Sequence, residues 1–134
     1  GEESLSSEIV KIKAGDQIES SGIKITEIFN VDHGPNVKVR PKENFGFLIE
    51  AVDANNNIKK IYFAGDMFDI SGIPVTDLEV DYALIPIGTF YTFGPKEALI
   101  FVKQFKKVGE VIPMHYQKLP EMKREWEEIW KKEI

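Results

Sequence analysis

Residues 23–31 (IKITEIFNV) alternate apolar and polar positions, with Ile23, Ile25 and Ile28 close to one phase, which is the period of a half-buried β-strand. The same alternation marks 8–13 (EIVKIK), whereas 15–22 (GDQIESSG) reads as turn chemistry between the two. Farther along, FGFLIEA (45–51) and KKIYFAG (59–65) predict two strands joined through DANNN (53–57). That link is a hairpin signal, because Asn and Asp tolerate left-handed turn geometry. The period then changes. YALIPI (82–87) is a continuous apolar run ending at Gly88, and GPKE (94–97) opens a helix with proline in its first turn. The helix is expected over 95–107, with Ala98, Leu99, Phe101, Val102 and Phe105 on a broad apolar face and Lys103, Lys106 and Lys107 towards its end, where cations suit the helix dipole. A short strand, 110–115 (EVIPMH), follows, and Pro120 starts a last helix. Met122, Trp126, Ile129 and Trp130 of that helix fall at the i, i+4, i+7 and i+8 spacing of a docking face. Strands come first and a β–α–β–α order follows, which predicts one α/β domain over 1–134, a mixed sheet with helices packed on one face.

Composition narrows the function classes. The 22 acidic residues outnumber 17 basic ones, for a net charge of −5, and no Lys/Arg run offers a phosphate-binding stripe, which argues against nucleic-acid binding. No apolar stretch approaches the roughly 18 residues of a membrane-spanning helix, and no targeting segment is visible. A cytoplasmic protein without membrane contact is expected. Cysteine is absent, so thiolate sites and cysteine nucleophiles are excluded and any metal must be held by His, Asp and Glu.

Those residues fall at suggestive places. His33 follows the strand at 23–31, Asp66 follows the strand ending before Gly65, and His115 closes the strand at 110–114, while Pro86 to Thr89 ends a fourth. Ligands in α/β sheets collect outside the carboxyl ends of strands, so these positions could share one rim. Two imidazoles and a carboxylate suit zinc, manganese or iron. The same residues also admit a structural role, with the histidines hydrogen-bonded locally and Asp66 capping a turn, and spacing does not decide between the two. Asp69, Asp77, Glu79 and Asp81 lie in a polar stretch and read as solvated. Phe90, Tyr91 and Phe93 read as core or pocket wall, with a small-molecule recognition surface as the less favoured reading.

YFAGDMFDI (62–70), VDYALIPIGTFYTFGPKEA (80–98) and VIPMHY (111–116), in that order, resemble the metallo-β-lactamase superfamily, and within it the lactonase-like branch of uncharacterised metal-dependent hydrolases. RPKENFGFLIEA (40–51) is similar to the segment preceding the Gly-Asp strand there. The resemblance implies that Asp66 is the acidic ligand bridging two metal ions and His115 a ligand of the second. His33 is implied more loosely as a third ligand, since relatives carry a His-Pro where Arg40 and Pro41 stand here. Arg40, Tyr91 and Thr92 would then be pocket residues. Gly88 and Thr89 replace a more usual Gly-Gly, and Met67 a common threonine.

The family's His-x-His-x-Asp-His signature is missing, and the chain contains only two histidines in all. The resemblance therefore implies the C-terminal half of an αββα sandwich. A metal-dependent hydrolase of a lactone, phosphoester or similar small molecule is expected for the complete protein, with water activated for attack by the ions. This portion alone, with two or three donors, is expected to bind metal weakly and to be inactive. Half a sandwich also exposes one apolar sheet face, so a cover is expected: the missing N-terminal half, a second copy of the chain, or a swapped element. The alternative is a non-catalytic oligomerisation module with a degenerate metal site.

Overall fold

A computed structural model describes residues 13, 15–30, 44–66, 74–89, 92, 94–116 and 120–133. Within them lie six strands and two helices: β1 (Gln17–Ser20), β2 (Ile23–Asn30), β3 (Asn44–Val52), β4 (Ile58–Phe63), β5 (Glu79–Pro86), α1 (Pro95–Val102), β6 (Lys107–Met114) and α2 (Pro120–Glu133). The strands form one sheet in the order β1-β2-β3-β4-β5-β6. Neighbours from β1 to β4 are antiparallel, and β4, β5 and β6 are parallel. This is the mixed sheet with helices on one face that the order of periods predicts.

Most elements sit where the residue pattern put them, and the exceptions have local causes. The segment 15–22, expected as a turn, contains β1. Ser21 and Gly22 both have positive φ, 53° and 81°, and connect Ser20 to its cross-strand partner Ile23. Two left-handed residues in a two-residue link match the right-handed twist of a hairpin, so the turn is shorter than its Ser/Gly-rich surroundings suggest. The helix expected to 107 stops at Val102. Lys106 and Lys107 both donate backbone N–H groups to the Leu78 carbonyl, which draws the chain into β6. Asp81, expected in solvent, accepts the Lys60 N–H through Oδ2 at 2.8 Å and so fastens β5 to β4. The strand expected at 8–13 lies almost wholly outside the described residues, as do Asp69, Phe90, Tyr91 and Phe93.

The 53–57 hairpin behaves as its composition demands. Asp53 Oδ1 accepts the N–H groups of both Asn55 and Asn57 at 2.9 Å, and Asn56 takes φ 64°.

Alternation assigns the two faces of the sheet. Thr26, Leu48, Tyr62, Ala83 and Val111 are successive cross-strand partners on one face. The helices pack there: Tyr62 is fully buried, with its ring 5.2 Å from Phe105 at 70° and 5.9 Å from Phe101, which itself meets Phe105 edge-on at 5.3 Å. Edge-to-face geometry of this kind adds attraction beyond area burial. Trp126 of α2 joins the same core, with Met122, Ile129 and Trp130 half-buried beside it, so the stripe is a docking face as expected.

The opposite face carries Ile18, Ile25, Ile49, Ile61 and Tyr82 in one row and Phe47, Phe63, Leu84 and Ile112 in the next. Among the described residues no helix lies over these rows. No helix of the described residues is long and apolar enough to cross a membrane.

The aromatic contact yields a test. Phe101→Ala should cost about 3–5 kcal/mol in urea denaturation, the usual result of emptying a buried aromatic site. Burial pushes the Tyr62 phenol above its ordinary range. The folded state thus keeps a proton that the unfolded chain loses above about pH 10. This contribution to stability is complete below that pH and disappears as pH rises through the folded value. Tyrosinate absorbance should show one phenol titrating only with alkaline unfolding, at a lower pH in Phe101→Ala.

Candidate functional site

Parallel pairing aligns the carboxyl ends of β4, β5 and β6 along one rim. The alignment continues past the strands: Ala64 donates its N–H to the Leu84 carbonyl and Ile87 donates to that of Met114, both at 3.0 Å. Because β2 runs in the direction of β4, its carboxyl end reaches this rim too.

Each of the three parallel strands leaves the sheet through a left-handed residue. Gly65 has φ 67°, Thr89 φ 71° and His115 φ 64°. Glycine accepts that conformation freely, but a β-branched threonine and a histidine do so only when their surroundings hold them. Thr89 is held by its hydroxyl, which bonds Met122 Sδ of α2 at 2.9 Å. His115 fills the space beside Gly88: a Cβ placed on Gly88 would lie 2.5 Å from the His115 carbonyl oxygen and 2.7 Å from its Nδ1. No side chain fits there, so the backbone of β5 can pass under the imidazole only as glycine.

These turns bring Asp66 and His115 together from opposite sides of β5. Asp66 Oδ1 lies 3.7 Å from His115 Nε2, with the side chains 47% and 42% exposed respectively. That distance is too long for a direct hydrogen bond. It suits two donors of one ion: ligands at about 2.0–2.2 Å in a tetrahedral site stand roughly 3.4 Å apart. An imidazole nitrogen and a carboxylate oxygen are a borderline donor set, appropriate to zinc, manganese or iron. The half exposure of both leaves room on the solvent side for further donors. By spacing, chemistry and access, the pair fits a metal ion. Among the described residues no group of three or more His, Asp or Glu could complete such a site.

Of the other residues singled out from sequence, Thr92 is fully buried, and its Oγ1 accepts the Gly88 N–H at 3.2 Å. His33, Arg40 and Tyr91 lie outside the described residues. Sequence reasoning missed the part played by Gly88. The available signal was a glycine at the end of a fully apolar strand, where a close backbone approach is a standing possibility.

No protein-family model matches the chain. A UPF0173 metal-dependent hydrolase of Thermococcus onnurineus is 33% identical over 116 residues, covering 84% of this chain and 49% of that protein. The chain thus spans about half the length of this curated relative. Among solved structures, one from Parabacteroides distasonis, whose name assigns it provisionally to the metal-dependent hydrolases, superposes with a TM-score of 0.63 at 25% identity. It is matched over 92% of this chain and 55% of its own. The metallo-β-lactamase fold protein YhfI of Bacillus subtilis superposes with a TM-score of 0.59 at 12% identity, over 87% of this chain and 47% of its own.

The left-handed backbone at 115 can be tested without any ligand. His115→Gly and His115→Ala both remove the imidazole, but only glycine is free of the Cβ penalty. The glycine variant should be the more stable by about 1 kcal/mol in urea denaturation. Equal stabilities would mean that residue 115 is not held left-handed in solution.

Proposed function

Because the chain is related over most of its length to about half of a UPF0173 metal-dependent hydrolase and shares the metallo-β-lactamase fold with its structural neighbours, we propose that it supplies Asp66 and His115 to the metal centre of a hydrolase. The observation that carries this reading is the 3.7 Å separation of Asp66 Oδ1 and His115 Nε2 at the strand-end rim. A bound divalent ion supplies Lewis acidity, which makes water a better nucleophile near neutral pH and offsets charge developing on a carbonyl or phosphoryl oxygen. The chain's own work is to hold the two donors: Gly65 turns Asp66 out of β4, and Gly88 seats His115 beside it.

His33 is the proposed third donor, and Arg40 and Tyr91 the proposed contributors to a pocket for a small substrate such as a lactone or phosphoester; Thr92, expected beside them, is fully buried and cannot touch a substrate. The ion is zinc, manganese or iron. With two donors, or three, this chain binds it weakly and is inactive by itself. Activity needs the rest of the donor set, brought by the N-terminal half of the fold or by a second copy seated on the apolar sheet face. For the complete protein we propose a cytoplasmic location.

A second reading, a non-catalytic interaction module, draws support from the short donor list and the apolar sheet face. Calorimetric titration with zinc and with manganese separates the two. Wild-type chain should bind one of the ions at micromolar or weaker affinity, and Asp66→Ala and His115→Ala should each weaken binding at least tenfold. A folded wild type that takes up neither ion would sink the metal reading and favour the module. Light scattering on the same samples tests the cover: twice the chain mass indicates a second copy, whereas a monomer that binds hydrophobic dye indicates that the other half is needed.

A further inference from the structure

His115 is aimed by residues that are not themselves donors. The ring's Nδ1 edge faces Gly88 so closely that a Cβ there would lie 2.7 Å from Nδ1, and the same point is 3.2 Å from Thr92 Oγ1. Imidazole edge and threonine hydroxyl therefore converge over one glycine. Thr92 is fully buried, and its hydroxyl oxygen accepts the Gly88 N–H, tying together the two ends of the segment 88–92. An apolar residue of the same shape would fill the volume but would take away the partner of the buried Gly88 N–H. What the hydroxyl adds is a fixed position for Gly88, and Gly88 is the surface on which the imidazole rests.

We infer that Thr92 is a positioning residue for His115: its hydroxyl fixes the Gly88 backbone, which closes the Nδ1 edge of the ring and leaves Nε2 turned outward as the ligand-bearing nitrogen. A ring free to flip would present Nδ1 and Nε2 in turn and hold neither at a constant distance from Asp66. The seat removes that freedom before any ion arrives, which is how groups outside the ligand set strengthen metal sites. Thr92 thus acts through backbone and not as a donor. Only the affinity arm of the test below depends on the metal reading proposed above.

The test uses the complete 134-residue chain, labelled with 15N in histidine, as wild type, Thr92→Ser and Thr92→Val, with His115 assigned by the loss of its signals in His115→Gln. In the metal-free wild type a nuclear Overhauser contact should join the Gly88 α-protons to the His115 ring. Thr92→Ser, which keeps the hydroxyl, should retain it. Thr92→Val, which keeps the shape, should lose it. With zinc chloride as the probe, wild type and Thr92→Ser should bind through Nε2 within about twofold of each other, and Thr92→Val about 10-fold to 100-fold more weakly, the usual range for lost outer support. Should Thr92→Val fail to fold, Thr92→Ala is read in the same way. A wild type without the Gly88 contact, or a folded Thr92→Val that keeps both the contact and the imidazole shifts, overturns the inference. If no variant binds zinc and yet the contact is lost in Thr92→Val and kept in Thr92→Ser, the positioning role stands and the metal reading falls.

Discussion

The parallel pairing of β5 with both β4 and β6 is the constraint from which the rest follows. Parallel neighbours cannot be joined by a tight turn, so each connection must leave the sheet and return to its other end. All three carboxyl ends are thereby delivered to one edge, and the hydrogen bonds from Ala64 to Leu84 and from Ile87 to Met114 carry the alignment beyond the last ladder pairs. Residues 66 and 115 are neighbours only because β5 lies between their strands. Its exit must be thin enough for the two side chains to meet across it, and Gly88 satisfies that requirement.

The same sheet has two unlike faces. On one, Tyr62, Phe101 and Phe105 interlock, so that β4 is fixed to α1 through rings whose mutual angles leave little freedom to slide. On the other, two rows of Ile, Phe, Leu and Tyr cross the sheet with no described helix over them. On the function proposed above, this apolar surface, uncovered among the described residues, is an interface for the rest of the fold. On the same reading the rim donors are incomplete too: two among the described residues, where a stable ion site has at least three protein ligands. A single partner that packed on the sheet and reached its rim would meet both deficits.

The legible parts of the sequence were those whose signal is local. Period-two alternation identified β2, the paired runs on either side of the Asp/Asn hairpin at 53–57 identified β3 and β4, and the apolar run ending at Gly88 identified β5. What failed was decided at a distance. The end of α1 depends on the Leu78 carbonyl far upstream, and the position of Asp81 on the Lys60 N–H across the sheet. Asp66 and His115 could be selected as strand-end residues and by family resemblance, but their separation follows only from the register of three strands. The Gly88 seat is less legible still. It is an absence of atoms, and its meaning lies in a residue 27 positions later in the chain.

Strain at the rim follows from the same geometry. A side chain at the end of a strand continues the alternation of the sheet and would point above or below it. Aiming it along the rim needs an abrupt change of backbone direction, and a left-handed residue supplies one in a single step. At β4 that step falls on Gly65, before Asp66, and carries little strain. At β6 it falls on His115 itself, so the residue that bears the imidazole also bears the unfavourable φ. Such a conformation persists only where the surroundings over-determine it. Here the carbonyl and the ring of His115 both occupy the space that a side chain on Gly88 would need, and Gly88 is tied to a buried hydroxyl. A purely structural residue at this position would be better served by glycine. A histidine in a conformation that favours glycine, seated against a position that admits only glycine, is the physical reason for regarding this rim as a candidate site.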